Sequence, residues 1–147
     1  MPAPSRRRPG LVALDNAVHF VGTTETPPGS NDGPEIRKWL KAAGITRPAP
    51  WCMAFVRAMF ALAGVQLGGG ASVGNFEAWA EQSDVVMLVR RPFAGDIVCY
   101  RFDADDWPDH VAIVEKVLAL RWRGRVFSGW VQTIAGHTSP GVRGSQA

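Results

Sequence analysis

Residues 50–64 read PWCMAFVRAMFALAG. Phe55, Met59 and Leu62 fall on one side of a helical pattern that Gly64 closes, so the stretch predicts a helix opening at Trp51 and Cys52. The first turn of a helix presents unpaired N–H groups and the positive end of the dipole. A thiol placed there has a lowered pKa and a larger thiolate fraction. The same N–H groups can hold an oxyanion formed by attack on a carbonyl. Cys52 therefore reads either as a nucleophile or, like most free cysteines, as a small buried core residue.

Working outward towards the N-terminus, PEIRKWLKAAG (34–44) predicts a helix with Asn31 or Asp32 as cap, Pro34 in its first turn and Gly44 as terminator. The preceding TTETPPGSNDGP is turn chemistry throughout. Leu11, Leu14, Val18 and Val21 recur at helical spacing until Gly22, and residues 1–9 are expected to form a flexible, arginine-rich tail. Towards the C-terminus, a glycine loop leads into a short helix capped by Ser72.

After Ser83 the pattern changes. VVMLV (85–89), GDIVCYRF, HVAIVEKVLAL and RVFSGWVQTIAG are β-rich runs, and RWRGR between the last two predicts a hairpin turn. Helices first and strands second, without alternation, imply an α+β domain: N-terminal helices packed on a C-terminal antiparallel β-sheet. The domain is expected to span residues 10–141, with 142–147 a flexible C-terminal tail.

Composition narrows the classes. The chain has 147 residues, 46% of them hydrophobic, which is enough for one globular core. Its two cysteines do not make a disulfide framework, and both are expected to be free thiols. There is no phosphate-binding glycine loop and no paired-cysteine zinc motif. No apolar run is long enough to cross a bilayer. The N-terminus lacks a signal-peptide core, so synthesis in the cytoplasm is expected, with any export by another route. The net charge of +3 favours an anionic partner, but RWRGR alone does not make the basic face with interleaved aromatics that a nucleic-acid binder needs.

A cysteine nucleophile needs a base that takes its proton and returns it to the leaving group. Of the three histidines, His19 lies inside the first helix pattern, His110 opens the strand HVAIV, and His137 ends the last strand. A strand end projects a side chain into a cleft while the sheet keeps it rigid, which favours His110. Cys99, inside DIVCY, reads as core.

ETPPGSNDGPEIRKWLKAAG, PWCMAFVRAMFALAGV, PFAGDIVCY, DHVAIVEKV and TIAGHTSPG occur in this order. Together they resemble the CHAP-type cysteine amidohydrolases/peptidases of the broader NlpC/P60 superfamily, common in phage endolysins and bacterial wall hydrolases. The resemblance implies a papain-like fold and hydrolysis of an amide or peptide bond in peptidoglycan. It implies Cys52 as nucleophile, His110 as general base, and a loop through Glu25 and Asn31 flanking the site; with Trp51 these two are the expected substrate-binding residues. The family pattern often reads E-G-N on the strand after the histidine strand. Here Ala135 stands at the acid and His137 at the asparagine, so His137 is the expected third catalytic residue. No cofactor and no metal are expected; DADDWPD (103–109) is the only acidic cluster that could suggest calcium. The expected partner is peptidoglycan, met by a monomer after release or delivery to the wall. The missing acid at Ala135 leaves an alternative, a catalytically weak relative that binds the wall.

Overall fold

The computed structural model describes residues 7–124, 126–137 and 143–146, with backbone alone for 126–127 and 143–146. Four helices precede four strands: α1 (Pro9–His19), α2 (Pro34–Ala42), α3 (Cys52–Leu62), α4 (Val73–Glu81), β1 (Ile97–Tyr100), β2 (His110–Arg123), β3 (Val126–Ile134) and β4 (Arg143–Gln146). The strands form one antiparallel sheet in the order β1-β2-β3-β4. The expected α+β architecture is the one observed.

α3 is the centre of the core. Seven of its eleven residues are buried, Cys52 to Val56 consecutively, so the helix is enclosed rather than one-sided. α1 packs on it through Ala13, Leu14 and Ala17, whose spacing lines one face. The Asn16 side-chain amide donates to the Met59 carbonyl at 3.1 Å and locks the two helices in register. α2 adds Ile36, Trp39 and Leu40. Val111 and Ile113 of β2 and Ile134 of β3 complete the core from the sheet.

The turn chemistry follows the sequence with informative exceptions. Gly44 and Gly64 follow α2 and α3 with φ of +86° and +84°, a backbone that glycine adopts without steric cost. The Ser72 hydroxyl accepts from the Asn75 N–H at 3.2 Å and caps α4 as expected. α2 takes no side-chain cap, because the N-cap residue is Gly33; Asp32 instead accepts from the Gly33 N–H at 2.8 Å and pairs with Arg37. The first six residues of the expected N-terminal tail lie outside the described residues, and α1 begins at Pro9. At the other end, Arg143–Gln146 of the stretch read as a tail pair with Val131–Ile134. Pairing there satisfies the open backbone edge of β3.

The expected strand at 85–89 is absent. A strand needs a partner edge, and the turn at Phe93–Asp96 diverts the chain before it can extend β1. Asp96 closes that turn by accepting from the Phe93 N–H at 2.8 Å, and Gly95 supplies its φ of +89°. VVMLV is left as coil with Leu88 97% exposed.

Aromatic packing joins these parts. Trp39 lies 5.7 Å from Trp51 and 5.1 Å from Phe55, ring centre to ring centre. Gly136, just past β3, meets the same cluster: a Cβ there would stand 2.6 Å from the Trp51 ring and 2.9 Å from Phe55 Cβ. Gly136→Ala is therefore expected to destabilise the fold by about 1–3 kcal/mol through overpacking, read in thermal unfolding by circular dichroism as a midpoint several degrees lower. An unchanged midpoint would show that the close approach of Gly136 to Trp51 is not a constraint.

Candidate active site

Cys52 is the first residue of α3 and Trp51 its N-cap. The thiol is buried, with a relative exposure of 7%. Burial raises its pKa above the ordinary thiol value; the backbone N–H groups of Met53, Val111 and Cys52 itself pull the other way without offsetting it. The helix start therefore supplies the expected donors, but desolvation outweighs them and the resting sulfur is a thiol. This overturns the expectation of a lowered pKa drawn from helix position alone. Cys99 is also a free thiol, pushed up to about 11 by burial and by the charge of Glu77.

The Val111 donor is informative because Val111 follows His110, the first residue of β2. The N-terminus of α3 and the start of β2 thus converge on one point. His110 is 7% exposed and sits opposite Tyr100 in the sheet register. Its ring lies 6.0 Å from Tyr100 and 6.2 Å from Phe102, centre to centre. Burial lowers the His110 pKa, and the charge of His137 lowers it further. The imidazole is neutral at neutral pH. Its Nε2 is sealed from solvent with no hydrogen-bond partner.

His137 does not sit as strand alternation predicts. β3 ends at Ile134; Thr133 and Ala135 are buried, while His137 is exposed with φ of +57°. The chain turns at Gly136, where the contact with Trp51 forbids a side chain, so period-two reasoning fails beyond Ile134. His137 nevertheless lies near enough for its charge to lower the pKa of both His110 and Glu25. Its influence is electrostatic.

Glu25, Asn31 and Trp51 form a connected group. One Glu25 oxygen accepts from Trp51 Nε1 at 2.9 Å; the other accepts from the Asn31 N–H at 3.0 Å. Burial tends to raise the Glu25 pKa, but the bonds from Trp51 and Asn31, the charge of His137 and the Gly29 N–H together lower it. Trp51 was expected to bind substrate. It is fully buried, so its ring belongs to the core and acts by placing Cys52 and Glu25.

Sequence reading missed the aromatic wall of the site. Tyr100 and Phe102 stack at 5.7 Å beside His110, and Phe102 is 61% exposed. The signal was the antiparallel pairing of CYRF with DHVA, which sets Tyr100 opposite His110. The acidic loop DADDWPD is held by its own backbone. Asp109 accepts from the Phe102 N–H at 2.6 Å, Arg101 donates to the Asp106 carbonyl at 2.9 Å and pairs with Glu77, and the Trp107 ring lies over Gly74. Among the described residues, no group of three or more His, Cys, Asp or Glu side chains is gathered to hold a metal ion.

Comparison with protein-family models returns the CHAP domain over residues 44–138. The chain belongs to the CHAP domain family. The CHAP match contains Cys52, His110 and His137 and begins after Glu25 and Asn31, whose place in the site rests on their hydrogen bonds. CHAP domains are typically hydrolytic, acting as cell-wall amidases or peptidases. Comparisons with curated proteins and with solved structures returned no match. No helix among the described residues of this CHAP protein is long and apolar enough to cross a membrane.

The electrostatics fix a pH signature. A raised thiol pKa and a lowered imidazole pKa leave both groups neutral around pH 7. Alkylation of Cys52 by iodoacetamide is therefore expected to climb through pH 8 and 9 as the thiolate forms. A rate already level between pH 5 and 8 would instead reveal a standing thiolate–imidazolium pair.

Proposed function

We propose that the chain hydrolyses an amide or peptide bond of peptidoglycan, with Cys52 as nucleophile and His110 as general base and then acid. The observation that carries this reading is the convergence on the Cys52 sulfur of N–H groups from the start of α3 and from Val111, next to His110. Nε2 of His110 has no hydrogen-bond partner, and in this reading Nδ1 receives the thiol proton. A neutral imidazole is competent for that task, and a neutral thiol is the proton donor it needs.

In the proposed sequence, Nδ1 takes the Cys52 proton as the sulfur adds to the substrate carbonyl. The N–H groups at the start of α3 receive the oxyanion. Collapse of the tetrahedral adduct breaks the C–N bond, and the proton on His110 passes to the leaving amine. Water, deprotonated by His110, then adds to the thioester and releases the acid and the thiol. Burial of the sulfur and imidazole removes water that would screen these charges. Phe102, exposed beside His110, offers aromatic surface to the substrate.

His137 enters as a positioning residue. Its charge depresses the His110 pKa, and no hydrogen bond joins it to Nε2. Removal of that charge by His137→Ala is expected to raise the His110 pKa, so the acid limb of the kcat/KM profile moves to higher pH with turnover within about tenfold of the parent. An acid limb that stays in place would remove His137 from the site.

The direct test is release of fragments from purified peptidoglycan, identified by mass spectrometry. Cys52→Ser is expected to lower the rate by at least about a thousandfold with the fold intact, since loss of a nucleophile removes several kcal/mol of transition-state stabilisation. Equal hydrolysis by parent and Cys52→Ser would overturn the mechanism. The alternative, a weakly catalytic wall-binding relative, draws on the orphaned Nε2 and on Ala135, whose methyl group accepts no hydrogen bond. It predicts wall binding by parent and variant alike, with no fragments from either.

A further inference from the structure

Two segments outside the proposed site share one character. Beyond Val114 the strand β2 leaves β1 behind, and β4 accompanies β3 only at Val131–Ile134. Residues 117–123 and 126–130 therefore form a two-stranded ribbon standing off the sheet. Such a ribbon has no core of its own. Leu118, Trp122 and Trp130 are each more than half exposed on it. Register places Trp130 opposite Ala119, and Trp122 lies three residues further along β2, so the two tryptophans fall on opposite faces of the ribbon.

The second segment is the coil at 85–93. Val85, Met87 and Leu88 are 61%, 80% and 97% exposed. Its end is tied to the base of the ribbon: Gly95 N–H donates to the Val114 carbonyl and Val114 N–H donates to the Asp96 carbonyl, both at 2.8 Å. The exposed apolar coil and the exposed apolar ribbon thus arise from one point on β2.

Their charge is one-sided. Residues 85–93 and 117–130 of the sequence carry five cations (Arg90, Arg91, Arg121, Arg123 and Arg125) and no Asp or Glu. Of the chain's 16 Lys and Arg, removing these five leaves eleven against 13 acids, so the rest of the sequence is net negative. The positive charge of the protein is concentrated where its apolar surface is exposed.

We propose that the ribbon and the 85–93 coil together form a docking surface for an anionic phospholipid bilayer. Arginine pairs with phosphate headgroups, tryptophan settles at the headgroup boundary, and the aliphatic chains enter the acyl region. A second copy of the chain is a poor occupant, because a two-fold contact through this surface opposes like charges. An anionic polymer meets the arginines but gives no apolar environment to Leu88, Met87 or Leu118. A bilayer interface accepts apolar side chains from both faces of a ribbon, which matches the placement of Trp122 and Trp130.

The test uses the full chain, sucrose-loaded vesicles of phosphatidylcholine with and without phosphatidylglycerol, and physiological salt. Sedimentation with the anionic vesicles is expected to be at least about tenfold stronger than with neutral ones, with tryptophan emission quenched by brominated acyl chains. Arg121→Gln with Arg123→Gln should weaken binding by about tenfold or more, and Leu88→Ser with Trp122→Ser should weaken both the binding and the quenching. Far-UV circular dichroism and peptidoglycan hydrolysis should match the parent in all variants. Absence of sedimentation with anionic vesicles, or equal sedimentation with neutral ones, would overturn the proposal. So would binding that the apolar substitutions leave intact, which points to an electrostatic contact with anionic groups alone. A dimer in sedimentation velocity that the apolar substitutions dissociate would assign the surface to a second copy.

Discussion

A buried indole has one polar atom, and that atom must find an acceptor or forfeit its hydrogen bond to water. In this chain the constraint falls on Trp51, which is fully buried at the start of α3. Its Nε1–H is satisfied by Glu25 at 2.9 Å, which brings the 25–33 loop to the helix N-terminus. Its ring stacks on Trp39 of α2 and leaves no room for a side chain at Gly136. One residue thereby joins the loop before α2, the start of α3 and the end of β3. Cys52 follows it directly, and His137 follows Gly136, so the candidate site inherits its geometry from this packing.

The same packing explains the electrostatics. Cys52 and His110 are buried because they lie at the join between the central helix and the sheet. Burial disfavours charge on either group, raising the thiol pKa and lowering that of the imidazole. The pair rests uncharged, and the proton must move during the reaction. Glu25 remains ionised since its two hydrogen bonds and the nearby His137 outweigh its desolvation. The negative charge of the site thus comes from a loop N-terminal to the CHAP match.

The proposed site and the cationic apolar surface draw on the same strand. β2 begins at His110 with five buried residues and runs out into the exposed ribbon. Pairing with β1 ends where the burial ends, so a single strand is rigid at the candidate chemistry and solvent-facing at its far end. Exposure of a patch that is both apolar and cationic costs solubility.

The sequence by itself determined the order of helices and strands, the glycine stops after α2 and α3, the Ser72 cap, the hairpin at RWRGR and the placing of Cys52 and His110 at element starts. Those features are local, set by periodicity, turn residues and backbone donors within a few positions. Tertiary structure decided the rest. VVMLV has strand composition but pairs with no strand among the described residues, so it is coil. Trp51 has the chemistry of a binding aromatic but lies in the core. The Cys52 pKa rises because desolvation is a property of everything packed around the sulfur, whereas the helix-start argument sees only the nearest donors. His137 turns outward because β3 ends at Ile134 and the backbone at His137 takes a φ of +57°, next to Gly136, which abuts a ring 85 positions earlier in the chain.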